Sequence, residues 1–140
     1  MEPPEPQRCV AIIDAELPVG KAANAAAVLA LSMGARHPQL VGDTLVDAGG
    51  NAHPGLTPMG IPVLGAPKDD LAVIRRKAIE AAIDVVGFPV QGQQTSDYAE
   101  LQRMMSCALP ENIAYLGIML FGSRKKVSRI VGKYPLLRQP

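Results

Sequence analysis

The chain has 140 residues, 48% of them hydrophobic and 19% charged, which is the composition of one globular domain large enough to bury a core. Fourteen basic and thirteen acidic side chains leave a net charge of +1, so no global field draws the molecule to nucleic acid or to a membrane. An aromatic share of 4% with no Trp argues against base-stacking platforms for single strands, and no apolar run is long enough for a membrane span.

The opening "MEPPEPQR" is rich in proline and lacks the charged-then-apolar pattern of a signal peptide. Residues 1–8 therefore read as a flexible lead-in, residues 9–140 as a single α/β domain, and the location as cytoplasmic. "CVAIID", Cys9 to Asp14, has the continuous apolar character of a buried parallel strand. An alanine-rich helix follows from Lys21 to about Met33. Its apolar positions run almost all round, which predicts burial on more than one side, and Gly34 and Pro38 are its stop signals.

From Leu40 to Leu64 the pattern is that of an inserted β-hairpin turning at "DAGGN", with its second arm made irregular by Pro54, Pro58 and Pro62. A second helix spans "APKDDLAVIRRKAIEAAI", with Leu71, Ile74, Ala78 and Ile79 as its apolar stripe. The strand Ile83 to Val90 comes next, then the polar loop "QGQQTS". A third helix is capped by Asp97, with Glu100 three residues on, and runs through Cys107. Ala114 to Phe121 is the strongest strand, and Gly122 and Ser123 start a last helix. This alternation predicts a three-layer α/β/α sandwich on a small mixed, largely parallel sheet. Cys9 and Cys107 read as buried free thiols outside any metal-spaced cluster, and neither a metal nor a cofactor is expected.

In an open α/β sheet the ligand site lies beyond strand ends and beside helix N-termini. Three segments are candidates: "DAELPVGKAAN", "QGQQTS" and "GSRKK". Gly20 and Lys21 lack the further glycine and the Ser or Thr of a phosphate loop, leaving free N–H groups and one cation at a helix start. Asn24 lies on the same helix face as Lys21. Asp14 can pair with Lys21, cap the turn or take part in acid–base work. Gln91, Gln94 and Thr95 can orient a ligand, but none is a general base at neutral pH. His53 reaches the site only if the hairpin folds over it; His37 lies just before Pro38. Arg124, Lys125, Lys126 and Arg129 share one side of the last helix, where RNA phosphates are a conceivable partner.

"AIIDAELPVGKAANAAAV" resembles the N-terminal motif of type II peptidyl-tRNA hydrolases, in which a strand, a D-L-x-M-G-K-G-K turn and an alanine-rich helix follow one another. "YLGIMLFGSRKKVSRIVGKYPLL" is similar to the C-terminal part of that family. The middle, "GDTLVDAGGNAHPGL" and "GIPVLGAP", resembles instead a family of small proteins of unknown function grouped with these hydrolases by fold. The resemblance implies a peptidyl-tRNA hydrolase II-like sandwich, commonly a homodimer, and makes Lys21 the match for a functional lysine.

The hydrolase turn is shorter here, and the register of Asn24 with the helix motif requires a slip of one residue. The aspartate of the family's Q-D-A-G-R-T loop is replaced by Gln91, while Thr95 keeps its place. Losing that charge removes a base. The reading is accordingly a protein that binds a small anionic or amide-containing ligand around Lys21. An ester hydrolase with an altered active site, Lys21 being its catalytic residue, is the alternative, and weak RNA binding is a further one.

Overall fold

The computed structural model describes residues 5–138. Among the described residues, six strands and four α-helices are arranged as β1 (Gln7–Asp14), α1 (Val19–Arg36), β2 (Leu45–Val46), β3 (Ala52–His53), β4 (Val63–Ala66), α2 (Asp70–Glu80), β5 (Asp84–Pro89), α3 (Tyr98–Ser106), β6 (Tyr115–Ser123) and α4 (Arg124–Val131). The main sheet has the order β4-β1-β6-β5, and β2 and β3 form a separate two-stranded hairpin.

The sheet is mixed but not largely parallel. Among the described residues β1–β4 is the one parallel pairing, whereas β6 lies antiparallel between β1 and β5. The expectation failed for a physical reason. A continuous apolar run reports a strand covered on both faces, whatever its direction. In β6 seven successive residues, Tyr115 to Phe121, are buried. Val10, Ile12, Ile118 and Leu120 pack with Leu71, Ile74 and Val127 of α2 and α4. Cys9, Ala11, Ile13, Met119 and Phe121 pack on the opposite face with Ala25, Leu29 and Met33 of α1.

The β5–β6 register skips Leu116 between the pairs Phe88↔Gly117 and Pro89↔Tyr115. This bulge reverses the alternation, so Tyr115 joins Ile118 and Leu120 on one face while Leu116 joins Met119 and Phe121 on the other. Gly117 sits at the tightest point beneath α1. A Cβ there would stand 2.7 Å from Ile13 Cδ1 and 3.0 Å from Leu29 Cδ1.

Several boundaries differ from the sequence reading. Gln7 and Arg8 belong to β1 and pair with Ser123 and Gly122; residues 1–4 lie outside the described residues. Helix α1 continues through Gly34 to Arg36, and His37 leaves the helix (φ −135°) because Pro38 excludes a helical residue before it. Its burial is one-sided: Ala22, Ala25, Leu29 and Met33 are enclosed, whereas Val28 and Leu31 are 41% and 78% exposed. Alanine makes a helix look apolar all round without requiring that any further face be covered. Ile79 likewise lies outside the buried stripe Leu71–Ile74–Ala78.

The hairpin is confined to residues 45–53, with Gly50 at φ +83° in its turn. The segment after it, Val63 to Ala66, is not a hairpin arm but the parallel edge strand of the main sheet. That edge is covered by the chain's own C-terminal segment: Gly65 N–H donates to Pro135 O at 2.9 Å and Leu137 N–H to Val63 O at 2.8 Å. Asp97 caps α3 as expected, accepting from the Ala99 and Glu100 N–H groups. α3 has no buried residue, so Cys107 at its end is exposed rather than buried.

Candidate functional site

The antiparallel course of β6 decides which strand ends share an end of the sheet. β5 and β1 both run against β6, so their carboxyl ends, and with them "DAELPVGKAAN" and "QGQQTS", lie at one end. "GSRKK" follows β6 and lies at the opposite end. Of the three candidate segments, two therefore share one end of the sheet and the third does not.

Asp14 closes β1 as a buried carboxylate, and its Oδ1 accepts from the Glu16 N–H at 2.9 Å. Of its three possible roles the structure displays turn capping, the ordinary habit of a short acidic side chain that reaches the backbone two residues on. The carboxylate contacts to basic side chains found among the described residues join Asp84 to Arg36 and His37, and Asp47 to His53; Lys21 is in none of them. Lys21 is exposed in the first turn of α1, beside Gly20, where a Cβ would meet nothing within 4 Å.

A groove of about 680 Å³ opens between α1, β5 and α3. Four consecutive residues of β5, Val86 to Pro89, line it. Side chains alternate faces along a strand, so a cavity touching four in succession lies against the strand's edge rather than on one face. β5 is indeed an outer strand. Asn24, Val28 and Ser32, spaced four residues apart, form the α1 wall, and Tyr98, Leu101, Gln102 and Met105 form the α3 wall. The lining is apolar apart from two amides, Asn24 and Gln102, and two hydroxyls, Ser32 and Tyr98, the mixture that orients a small ligand.

Of the site residues expected from sequence, Asn24 lines this groove. Lys21 precedes it by one turn on the same stripe. Gln91 is the second residue of the short 3-10 turn Val90–Gln93; its Oε1 is buried without a hydrogen-bond partner among the described residues, and it does not line the groove. Thr95 is engaged locally: its Oγ1 donates to Glu100 Oε2 at 3.2 Å and accepts from the Asp97 N–H at 3.0 Å. The Gln94 side chain is exposed at the end of the 3-10 turn. His53 stays in the hairpin, 2.9 Å from Asp47 Oδ2, and that contact holds the Asp47 carboxyl down to about 2. It does not line the groove.

Ser32 and Gln102 were not among the residues singled out from sequence. Ser32 follows Asn24 at a spacing of eight, which the helical period makes detectable. Gln102 carries no such signal, because the approach of α3 to α1 is a tertiary event.

The fold and the family are both found elsewhere. A solved protein of unknown function from Agrobacterium tumefaciens strain C58 superimposes with a TM-score of 0.85 at 22% identity, covering 93% of this chain and 96% of that one. No curated protein matches the sequence. Residues 7–138 match the family described as "Protein of unknown function (DUF2000)", and the chain belongs to that family.

Proposed function

We propose that this member of the family binds a small ligand carrying an amide or carboxylate on an apolar body, in the groove between α1, β5 and α3. The observation that carries the reading is the placement of Asn24, Ser32, Tyr98 and Gln102 around a cavity of about 680 Å³ whose other lining residues are apolar. Asn24 and Gln102 each offer an N–H₂ donor and a carbonyl acceptor, so together they match an amide, which needs both. Lys21, one turn nearer the helix start, suits an anionic end of the same ligand; a cation there faces the positive end of the helix and gains from an anion beside it. We read the wider architecture as peptidyl-tRNA hydrolase II-like, on the order of strand, short turn, alanine-rich helix and terminal strand–helix pair. Ester hydrolysis lacks comparable support, since Asp14 caps a turn and His53 is held by Asp47 outside the groove.

N-acetyl-leucine is a suitable probe, because it combines an amide, an aliphatic side chain and a carboxylate. Titration followed by two-dimensional amide NMR is expected to move the side-chain signals of Asn24 and Gln102. Lys21→Ala is expected to weaken the acid while sparing N-acetyl-leucinamide, and Asn24→Ala to weaken both. Unshifted Asn24 and Gln102 signals, or equal affinities in Asn24→Ala, would overturn the proposal.

A further inference from the structure

Beneath the loop that follows α1, a smaller cavity of about 170 Å³ is lined by three sulfur-bearing residues distant in sequence, Cys9, Met33 and Met119. Cys9 and Met119 are diagonal neighbours on adjacent strands, since Cys9 pairs with Phe121 and Ala11 with Met119. Met33 comes from the buried stripe of α1 on the same side of the sheet. All three side chains are buried. The rest of the wall is aliphatic except for Thr57, and no carboxylate or imidazole lines it.

We propose that this cavity is a binding site for a soft monovalent cation, copper(I), held by the Cys9 thiolate and the thioethers of Met33 and Met119. Soft sulfur ligands select copper(I) over the hard and borderline divalent ions. Charge makes the same selection independently. Copper(I) replaces the thiol proton, so one positive charge leaves as the other enters, and the bound unit of cation, thiolate and two thioethers is neutral. A divalent ion would leave a net charge in an apolar enclosure with no carboxylate to meet it, which burial strongly disfavours.

Methionine ordinarily fills irregular gaps in a core. Here two of them border a space they leave unfilled. Access is over the outer wall, where Val41 and Thr57 are exposed. The exposed Cys107 thiol, at the end of α3, is the competing soft ligand and needs its own control.

The test is competition for copper(I) against bicinchoninate, with the reduced full chain under argon. The parent is expected to withdraw one equivalent, Cys107→Ser to do the same, and Met33→Leu and Met119→Leu each to lose at least tenfold in affinity. Leucine conserves the volume and removes only the sulfur, so the metal-free variants should unfold at nearly the parent temperature. X-ray absorption of the loaded parent is expected to show a shell of three sulfur atoms, and this readout holds even if a variant fails to fold. No uptake by the parent, parental affinity in the double leucine variant, loss of uptake in Cys107→Ser, or nitrogen or oxygen in the shell would each overturn the site.

Discussion

Arg36 grips Asp84 with two parallel hydrogen bonds, Nε to Oδ2 at 2.8 Å and Nη2 to Oδ1 at 2.9 Å, and so ties the last turn of α1 to the first residue of β5. His37 adds a third contact to Oδ2 and sets its ring edge-on against Phe121 at 4.7 Å. The Arg36 hydrogen bonds, aided by His37, hold the Asp84 carboxyl down to about 2 against its partial burial. An unfolded aspartate titrates near 3.9, so this cluster stabilises the fold fully above about pH 5 and is lost as the pH falls toward 2. Asp84→Asn is expected to cost about 1–2 kcal/mol at pH 7, a charge-assisted pair discounted for the exposure of Arg36. Urea unfolding of both proteins at pH 7 and pH 3 measures it, and the gap should narrow in acid. A constant gap would show that the carboxylate charge is not what matters.

Helix α2 ends in a left-handed turn made by a residue poorly suited to it. Ala82 has φ +58°, with its N–H on Ile79 O at 3.1 Å and the Ile83 N–H on Ala78 O at 2.9 Å. This pair of bonds is the Schellman ending, whose left-handed residue is usually glycine. An L side chain there costs roughly 1–2 kcal/mol, partly offset in a glycine by the greater freedom of its unfolded chain. Ala82→Gly is therefore expected to stabilise the protein by about 0.5–1 kcal/mol. Thermal unfolding reads it as a rise of a few degrees in Tm, and a fall would contradict the strain.

What the sequence disclosed and what it concealed follow from the range of the interactions. The Asp97 cap, the "DAGGN" turn and the buried character of β6 are local signals, carried by side chains within a few residues of the backbone they govern. Strand direction is different. Burial of β6 on both faces produced the same apolar run that a parallel strand has, and nothing local in Tyr115 to Phe121 records that β1 beside it runs the other way. The groove shows the same division. Asn24 could be singled out on a helix face, whereas its partner across the cavity, Gln102, depends on where α3 comes to rest. The sulfur cavity joins residues 9, 33 and 119, a separation that no spacing rule covers.

Gly117 is where β6 lets α1 approach most closely. A methyl group at this position would press on Ile13 Cδ1 at 2.7 Å, Leu29 Cδ1 at 3.0 Å and the Ile12 carbonyl oxygen at 3.3 Å. Gly117→Ala is expected to cost about 1–3 kcal/mol, the range for overpacking a filled core. Ile13→Val removes the nearest of those atoms. The double variant should recover part of the loss, so a double-mutant cycle is expected to give a coupling energy of about 0.5–1.5 kcal/mol. Strict additivity would place the strain elsewhere.

The α3 wall of the groove rests on its cap more than on its packing. No residue of α3 is buried, and Asp97 Oδ1 takes the Ala99 and Glu100 N–H groups at 3.0 and 3.3 Å while Thr95 holds the Asp97 N–H. An N-cap is worth about 1 kcal/mol, and a nine-residue helix without a buried face has little else to oppose fraying. Asp97→Ala is thus expected to release α3 locally. Hydrogen exchange across residues 98–106 should quicken several-fold while β1 and β6 keep their protection, and Tm should scarcely move. Affinity for N-acetyl-leucine should fall in the same variant, because Gln102 and Met105 reach the groove only while α3 is formed. Uniform acceleration of exchange across the sheet would instead mean that α3 unfolds with the core, and the groove would then be a rigid site.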